Sequence, residues 1–279
     1  MARNMPCEFA SRALQALRRV REIELEDAVV VNPAAFYNVF PSVIAFLRHV
    51  CAALDTRGAR AESDAIAHVI DICATDPELG GLGLAEDTPW AETSARTLDE
   101  VEFLIEAWLA AVSSAELARK PPEPLRQKRA GTRPMTLAEK IFAHHALTAP
   151  RDKGGVQAGD LVRVSIDWVI ASEVTWVGMK KSMTSIGSAP RAWRNDRFWL
   201  AGDHVVDPRN YSQDRVKGFL QGLQSAKHEL KMTENQGLNY TILHTEFVRE
   251  RAEPGMLVLG SDSHTCSAGA VSSLAIKED

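Results

Sequence analysis

Residues 120–134, KPPEPLRQKRAGTRP, constrain this chain most. The segment holds four prolines, one glycine and five basic side chains. Proline removes an amide donor and blocks helix propagation, and the charges favour water over a core. No regular element can run through such a stretch, so the sequence on either side folds separately. The reading is a front unit (1–119), a linker (120–134) and a rear unit (135–279). Charge changes sign across the linker. Residues 1–118 carry 9 basic against 19 acidic side chains, whereas residues 119–279 carry 23 against 18. The net charge of −5 argues against a general nucleic-acid binder. A basic rear suits a small anionic substrate by focusing its field, although solvated faces of differing composition give the same counts.

The front reads as a small all-α segment. Apolar Ala10, Ala13, Leu14 and Leu17 share a helical face within a stretch rich in arginine (Arg3, Arg12, Arg18, Arg19, Arg21). That pattern fits a mitochondrial presequence or an ordinary first helix; Glu22, Glu24, Glu26 and Asp27 follow at once. The compartment is accordingly cytoplasmic or mitochondrial. Val43, Ile44, Leu47, Val50, Cys51 and Leu54 recur at helical spacing after Pro41. Further helices are expected over 62–73, with Ile66, Val69, Ile70 and Cys73 on one face, and over 98–112. Residues 75–95 read as a loop. His49 and His68 fall within helices and read as structural. No run of 18 apolar residues exists, so no membrane-spanning helix is expected. The four cysteines, Cys7, Cys51, Cys73 and Cys266, are widely spaced and form no C-x-x-C pattern.

The rear has a different grammar. Thr136 and Glu139 have capping-box spacing, and His144 and His145 follow in the same helix. Residues 161–170 (LVRVSIDWVI) alternate and are β-branched, which predicts a strand. Short apolar strands are expected at 197–202 (RFWLAG) and 256–260 (MLVLG), with a helix over 212–232 between them. This order predicts an α/β layer with parallel strands.

The chemistry lies just after the strands. Asp203-His204 follows RFWLAG, and Ser261-Asp262-Ser263-His264-Thr265 follows MLVLG. Ligands of open α/β sheets bind at the carboxyl ends of strands, so two Asp/His pairs would face one crevice. A carboxylate beside an imidazole fixes its tautomer and favours its charged form, which suits proton delivery. His244, in YTILHTEF after another apolar run, is a third candidate. The bland alternative for each is a satisfied polar group at a strand end.

At these residues the sequence resembles the aconitase and 3-isopropylmalate dehydratase (isopropylmalate isomerase) large-subunit family. The motifs that carry the likeness are MTLAEKIFAHHA (135–146), VQAGDLVRVSIDWVIASEVTW (156–176), DHVVDP, ILHTEFVRERAEPG and VLGSDSHTCSAGA. They come in the family's order over roughly 140 residues, matching the N-terminal part of the family's α/β/α domain. The resemblance implies a hydro-lyase that dehydrates and rehydrates a small hydroxy di- or tricarboxylic acid, such as isopropylmalate or citrate. It implies a [4Fe–4S] cluster whose one iron without a cysteine ligand acts as a Lewis acid. By motif, Asp203, His204, His244, Asp262 and His264 take catalytic roles, and Ser263 and Ser172 lie where substrate is bound.

The chain also departs from the family pattern. Ser172-Glu173-Val174-Thr175 stands where Gln-Asp or His-Asp usually precedes the Thr. The family's cluster cysteines, serine base and substrate arginines lie beyond Asp279, and Cys266 does not match a cluster ligand. The expected fold is therefore a partial aconitase-like α/β unit preceded by a small helical segment. A second polypeptide or a longer isoform would complete the active site, and this chain alone would bind no cluster. The first 118 residues have no counterpart in compact bacterial isomerases and read as a fused segment or as two pieces joined. The alternative function is an inactive remnant, or a helical module that binds a partner protein.

Overall fold

A computed structural model describes residues 5–21, 33–117, 133–147, 154–187, 189–205, 207–235 and 241–277. Most of the expected linker lies outside the described residues, as do Glu22, Glu24, Glu26 and Asp27. The chain divides into two compact units. One comprises Met1–Ala118 with Trp193–Asp196, and the other Arg119–Ala192 with Arg197–Asp279.

The first unit is helical: α1 (Met5–Arg21), α2 (Pro33–Val39), α3 (Val43–Thr56), α4 (Arg60–Ala74) and α5 (Ala95–Leu117). Ser42 caps α3 by accepting the Ala45 amide at 3.1 Å. The stripes at helical spacing all point inward, with Leu14, Leu17, Ile44, Leu47, Leu54, Ile66, Val69, Leu98 and Ile105 in one core. Residues 75–95, expected as a plain loop, contain two 3-10 turns, and Trp90 from the second is buried with its indole N–H donating to the Phe40 carbonyl at 2.7 Å. Asn195 belongs to this unit because its amide donates to the Ala107 carbonyl at 2.8 Å.

The second unit is the α/β layer. It opens with α6 (Leu137–His145), whose Thr136–Glu139 capping box forms in full. There follow β1 (Trp168–Ser172), α7 (Glu173–Ser185), β2 (Phe198–Ala201), α8 (Asp214–Glu229), α9 (Leu243–Glu250), β3 (Leu257–Gly260), a 3-10 helix (Ser263–Val271) and β4 (Leu274–Lys277). All pairings are parallel, in the order β2-β1-β3-β4. Period-two alternation splits the apolar side chains between the two faces. Trp168, Ile170, Trp199, Ala201 and Val258 pack with Leu243 and Phe247 of α9. Ala171, Phe198 and Leu200 pack with Trp176 of α7 and Leu223 and Ala226 of α8. Both faces are covered, as a parallel sheet requires.

The strand expected over 161–170 begins seven residues later. Asp167 is the reason. Its amide donates to the Leu257 carbonyl at 2.9 Å while its carboxylate accepts the Leu257 N–H at 2.8 Å and His145 Nε2 at 2.6 Å. Upstream of this clamp the backbone pairs with the end of α6: Ser165 N–H donates to His145 at 2.8 Å and Leu147 N–H to Arg163 at 2.8 Å. Leu161 is left fully exposed despite the alternation.

A candidate active site at the carboxyl ends of three strands

The parallel register brings three loops to one edge of the sheet, after β1, β2 and β3. Each contributes a carboxylate or an imidazole. Glu173 is the first residue of α7, directly after β1, and is fully buried. Its Oε1 accepts the backbone N–H groups of His204 (2.9 Å) and Val205 (2.6 Å), and its Oε2 that of Asp203 (3.2 Å). Asp203 in turn uses both oxygens. Oδ1 takes His204 Nδ1 at 2.5 Å, and Oδ2 accepts the N–H of Leu243 at 2.8 Å, at the start of α9.

Asp262 is the hub. It caps the 3-10 helix by accepting the His264 N–H at 2.7 Å, and the same oxygen lies 2.9 Å from His264 Nδ1. It also lies 3.1 Å from His244 Nε2, while Oδ2 lies 3.4 Å from His204 Nε2. The His244 and His264 rings are 5.7 Å apart, centre to centre. One carboxylate thus stands within 3.4 Å of three imidazoles carried by three separate segments. This approach depends on Gly260, the last residue of β3. A Cβ there would meet Thr265 Oγ1 at 2.2 Å, and Thr265 is buried with its hydroxyl fixed on the Asp262 carbonyl at 2.7 Å.

The three imidazoles differ in environment. Burial alone would lower the pKa of His204, but the Asp203 hydrogen bond and the charges of Asp203, Glu173 and Asp262 more than offset it and raise it. His244 is depressed by burial, against the pull of Asp262 and Asp203. Both its ring nitrogens are buried without a well-directed hydrogen bond among the described residues. Burial opposes the ionisation of Asp262, yet the His264 backbone and side-chain hydrogen bonds and the charges of His244 and His204 hold its pKa at about 2.

Of the residues expected from sequence, Asp203, His204, His244, Asp262 and His264 lie together. Ser263 is exposed beside them at the start of the 3-10 helix. Ser172 lies at the end of β1 but is fully buried, its hydroxyl accepting the Thr175 N–H as the cap of α7. The sequence reading assigned Glu173 no role. The S-x-x-T spacing of Ser172 and Thr175 marks a helix start with an acid in its first turn, but not the backbone amides that the acid binds. His244 lies in the first turn of a helix, one residue after the Leu243 amide that Asp203 holds.

No family model matches the chain. Known relatives do. An aconitase of Alternaria alternata (AMT8) is 55% identical over 269 residues, 96% of this chain and 32% of that protein. An aconitase of Aspergillus rugulosus (htyD) is 57% identical over 266 residues, 93% of this chain and 30% of its own length. The chain belongs to the aconitase and 3-isopropylmalate dehydratase large-subunit family. A 3-isopropylmalate dehydratase large subunit of Glarea lozoyensis (gloJ) is 56% identical over 83% of this chain and 24% of its own length. The chain thus spans about a third or less of these family members. Coverage of 96% takes in the helical unit as well as the α/β unit, so an accidental joining of two pieces is set aside: a relative carries both together.

The cluster expected from this family does not fit the thiols present. Cys7, Cys51 and Cys73 belong to the helical unit, and burial raises the pKa of each, that of Cys73 to about 12. Cluster ligation needs several thiolates in one constellation. The α/β unit offers Cys266 alone, exposed, with its Sγ on the Ser263 carbonyl at 3.4 Å. Two trios, His244–Asp262–His264 and Glu173–Asp203–His204, bring nitrogen and oxygen donors within 4.8 Å of one another. Neither is a thiolate set. Among the described residues, no helix is long and apolar enough to cross a membrane.

Proposed function

We propose that this chain carries the proton-handling half of a hydro-lyase site acting on a small hydroxy di- or tricarboxylic acid of the isopropylmalate or citrate class. The convergence of His204, His244 and His264 on Asp262 carries this reading. Hydroxide is a poor leaving group and needs a proton as it departs. With Nδ1 of His204 committed to Asp203, the transferable proton sits on Nε2, the atom that faces Asp262. In the hydration direction the same nitrogen takes the proton back. His244, whose charged form burial disfavours, is suited to accept a hydrogen bond from the substrate, and we read Ser263, exposed at the start of the 3-10 helix, as a contact for a substrate carboxylate. The remaining groups, including the family's [4Fe–4S] cluster, come from outside this sequence, either from a longer form or from a second polypeptide. The relatives' greater length supports this.

The test is hydro-lyase activity of the complete enzyme containing this chain, assayed with 2-isopropylmalate and with citrate. His204→Asn is expected to lower kcat by about 100-fold or more with a smaller change in KM. A variant within tenfold of the native rate on the accepted substrate would remove His204 from the role of donor.

A further inference from the structure

We infer that Glu173 is a positioning residue for His204, its buried carboxylate gripping the backbone of residues 203–205. The inference rests on the proton-donor reading of His204 for its importance, though not for its geometry. Three consecutive amides, those of Asp203, His204 and Val205, donate to the one carboxylate at 3.2, 2.9 and 2.6 Å. The side chain is fully buried, and all three partners are donors, which matches an acceptor-only group. Glutamine would turn an NH2 toward one of these N–H groups, and aspartate falls one methylene short.

The consequence travels through Asp203. With its backbone held, Asp203 places Oδ1 on His204 Nδ1 at 2.5 Å and Oδ2 on the Leu243 amide at 2.8 Å. The first turn of α9, with His244, is therefore tied to the same anchor. The charged groups facing His204 are Asp203 on its own loop, Glu173 from α7 and Asp262 from the loop after β3. Glu173 thus fixes the position of the imidazole and contributes to the field that favours its protonated form. Such a group acts through another residue and need not touch substrate.

The experiment uses the 279-residue chain. The His204 imidazole is titrated by NMR, and amide hydrogen exchange is followed at residues 203–205, in the native chain, Glu173→Gln, Glu173→Asp and Thr175→Ala. Glu173→Gln is expected to move the His204 titration to lower pH and to speed exchange at the three amides by about tenfold or more. Thr175→Ala weakens the cap of α7 without touching the grip, so it should leave the His204 titration in place. A folded Glu173→Gln with unchanged titration and exchange would overturn the inference, as would an equal shift in Thr175→Ala. If the Gln variant does not fold, Glu173→Asp and the native chain decide. Unprotected amides at 203–205 in the native chain would overturn it, and protection that weakens in the Asp variant supports it. None of these readouts needs substrate, so they can fail while the His204→Asn activity test succeeds, or the reverse.

Discussion

His145 offers the sharpest test of how the α/β unit is held together, because its charge state follows from its partners. Nδ1 faces the Ile141 carbonyl at 2.8 Å and Nε2 faces an Asp167 carboxylate oxygen at 2.6 Å. Both partners are acceptors, so the imidazolium, with a proton on each ring nitrogen, is the form that satisfies both. His145 is 4% exposed, and burial alone would lower its pKa, but the Asp167 hydrogen bond, the Ile141 carbonyl and the Asp167 charge raise it overall. Asp167 is correspondingly lowered, burial opposing, by the His145 bond and the Leu257 amide. The pair therefore ties α6 to the residue before β1 and, through Asp167, to the first residue of β3. Removing one member of a buried pair costs about 3–5 kcal/mol. Asp167 keeps its Leu257 bond and a side chain 27% exposed, so we expect His145→Leu to lose about 2–3 kcal/mol near pH 6. For a unit of this size that is a fall of about 5–10 °C in Tm. A His with a raised folded pKa contributes stability that is complete below the unfolded value of about 6.5 and is lost as pH rises through the folded value. The difference between native and variant, read from urea unfolding by tryptophan fluorescence, should therefore shrink as pH rises above about 6.5 and through the raised folded value. Asp167 works in the opposite sense, and its contribution fades as pH falls through its depressed pKa. A native–variant difference that stays constant over the alkaline range would refute the imidazolium assignment.

Two further predictions concern packing and thiol chemistry. Gly260→Ala should destabilise the α/β unit by about 1–3 kcal/mol, because the new methyl meets the buried Thr265 hydroxyl; urea unfolding with less than half a kcal/mol of change would mean that the loop yields without cost. Cys266 should be the first thiol to react with a small disulfide reagent, being exposed, whereas Cys73, with a pKa near 12, should react only on unfolding. Mass mapping of the labelled chain decides, and early labelling of Cys73 would contradict its burial.

How legible the fold was depends on what each element buries. The helices of the first unit and α8 show a clear stripe because one face packs and the other meets water, so Leu47, Ile66, Leu104 and Leu223 could be placed from spacing. The elements α7 and α9 escaped notice. α9 is only eight residues long, and α7 buries Trp176 while leaving Val177 exposed, so neither shows a long periodic stripe. The overextended strand at 161–170 failed for another reason: alternation cannot show that Asp167 will anchor the first ladder step and turn the preceding residues toward His145. The site itself was readable where a side chain follows a short apolar run, as with Asp203, His204, Asp262 and His264. Glu173 was not, because its role comes from three backbone amides some thirty residues away, and backbone donors leave no mark in a sequence.

The arrangement around Asp262 separates the imidazoles by charge. His204, exposed enough to reach solvent and flanked by three carboxylates, favours its protonated form, while His244, buried with neither nitrogen in a well-directed hydrogen bond among the described residues, favours the neutral form. Each lies within 3.4 Å of an oxygen of the same carboxylate. Two like groups pushed in opposite directions by their surroundings are the usual basis for dividing acid and acceptor roles at neutral pH. Asp262→Asn would remove the charge they share while nearly preserving shape. His204 should then lose one of its three carboxylate neighbours and titrate lower, and His244, already neutral by burial, should stay neutral. NMR titration of both rings distinguishes this from a site in which the two histidines are interchangeable, since interchangeable rings would move together.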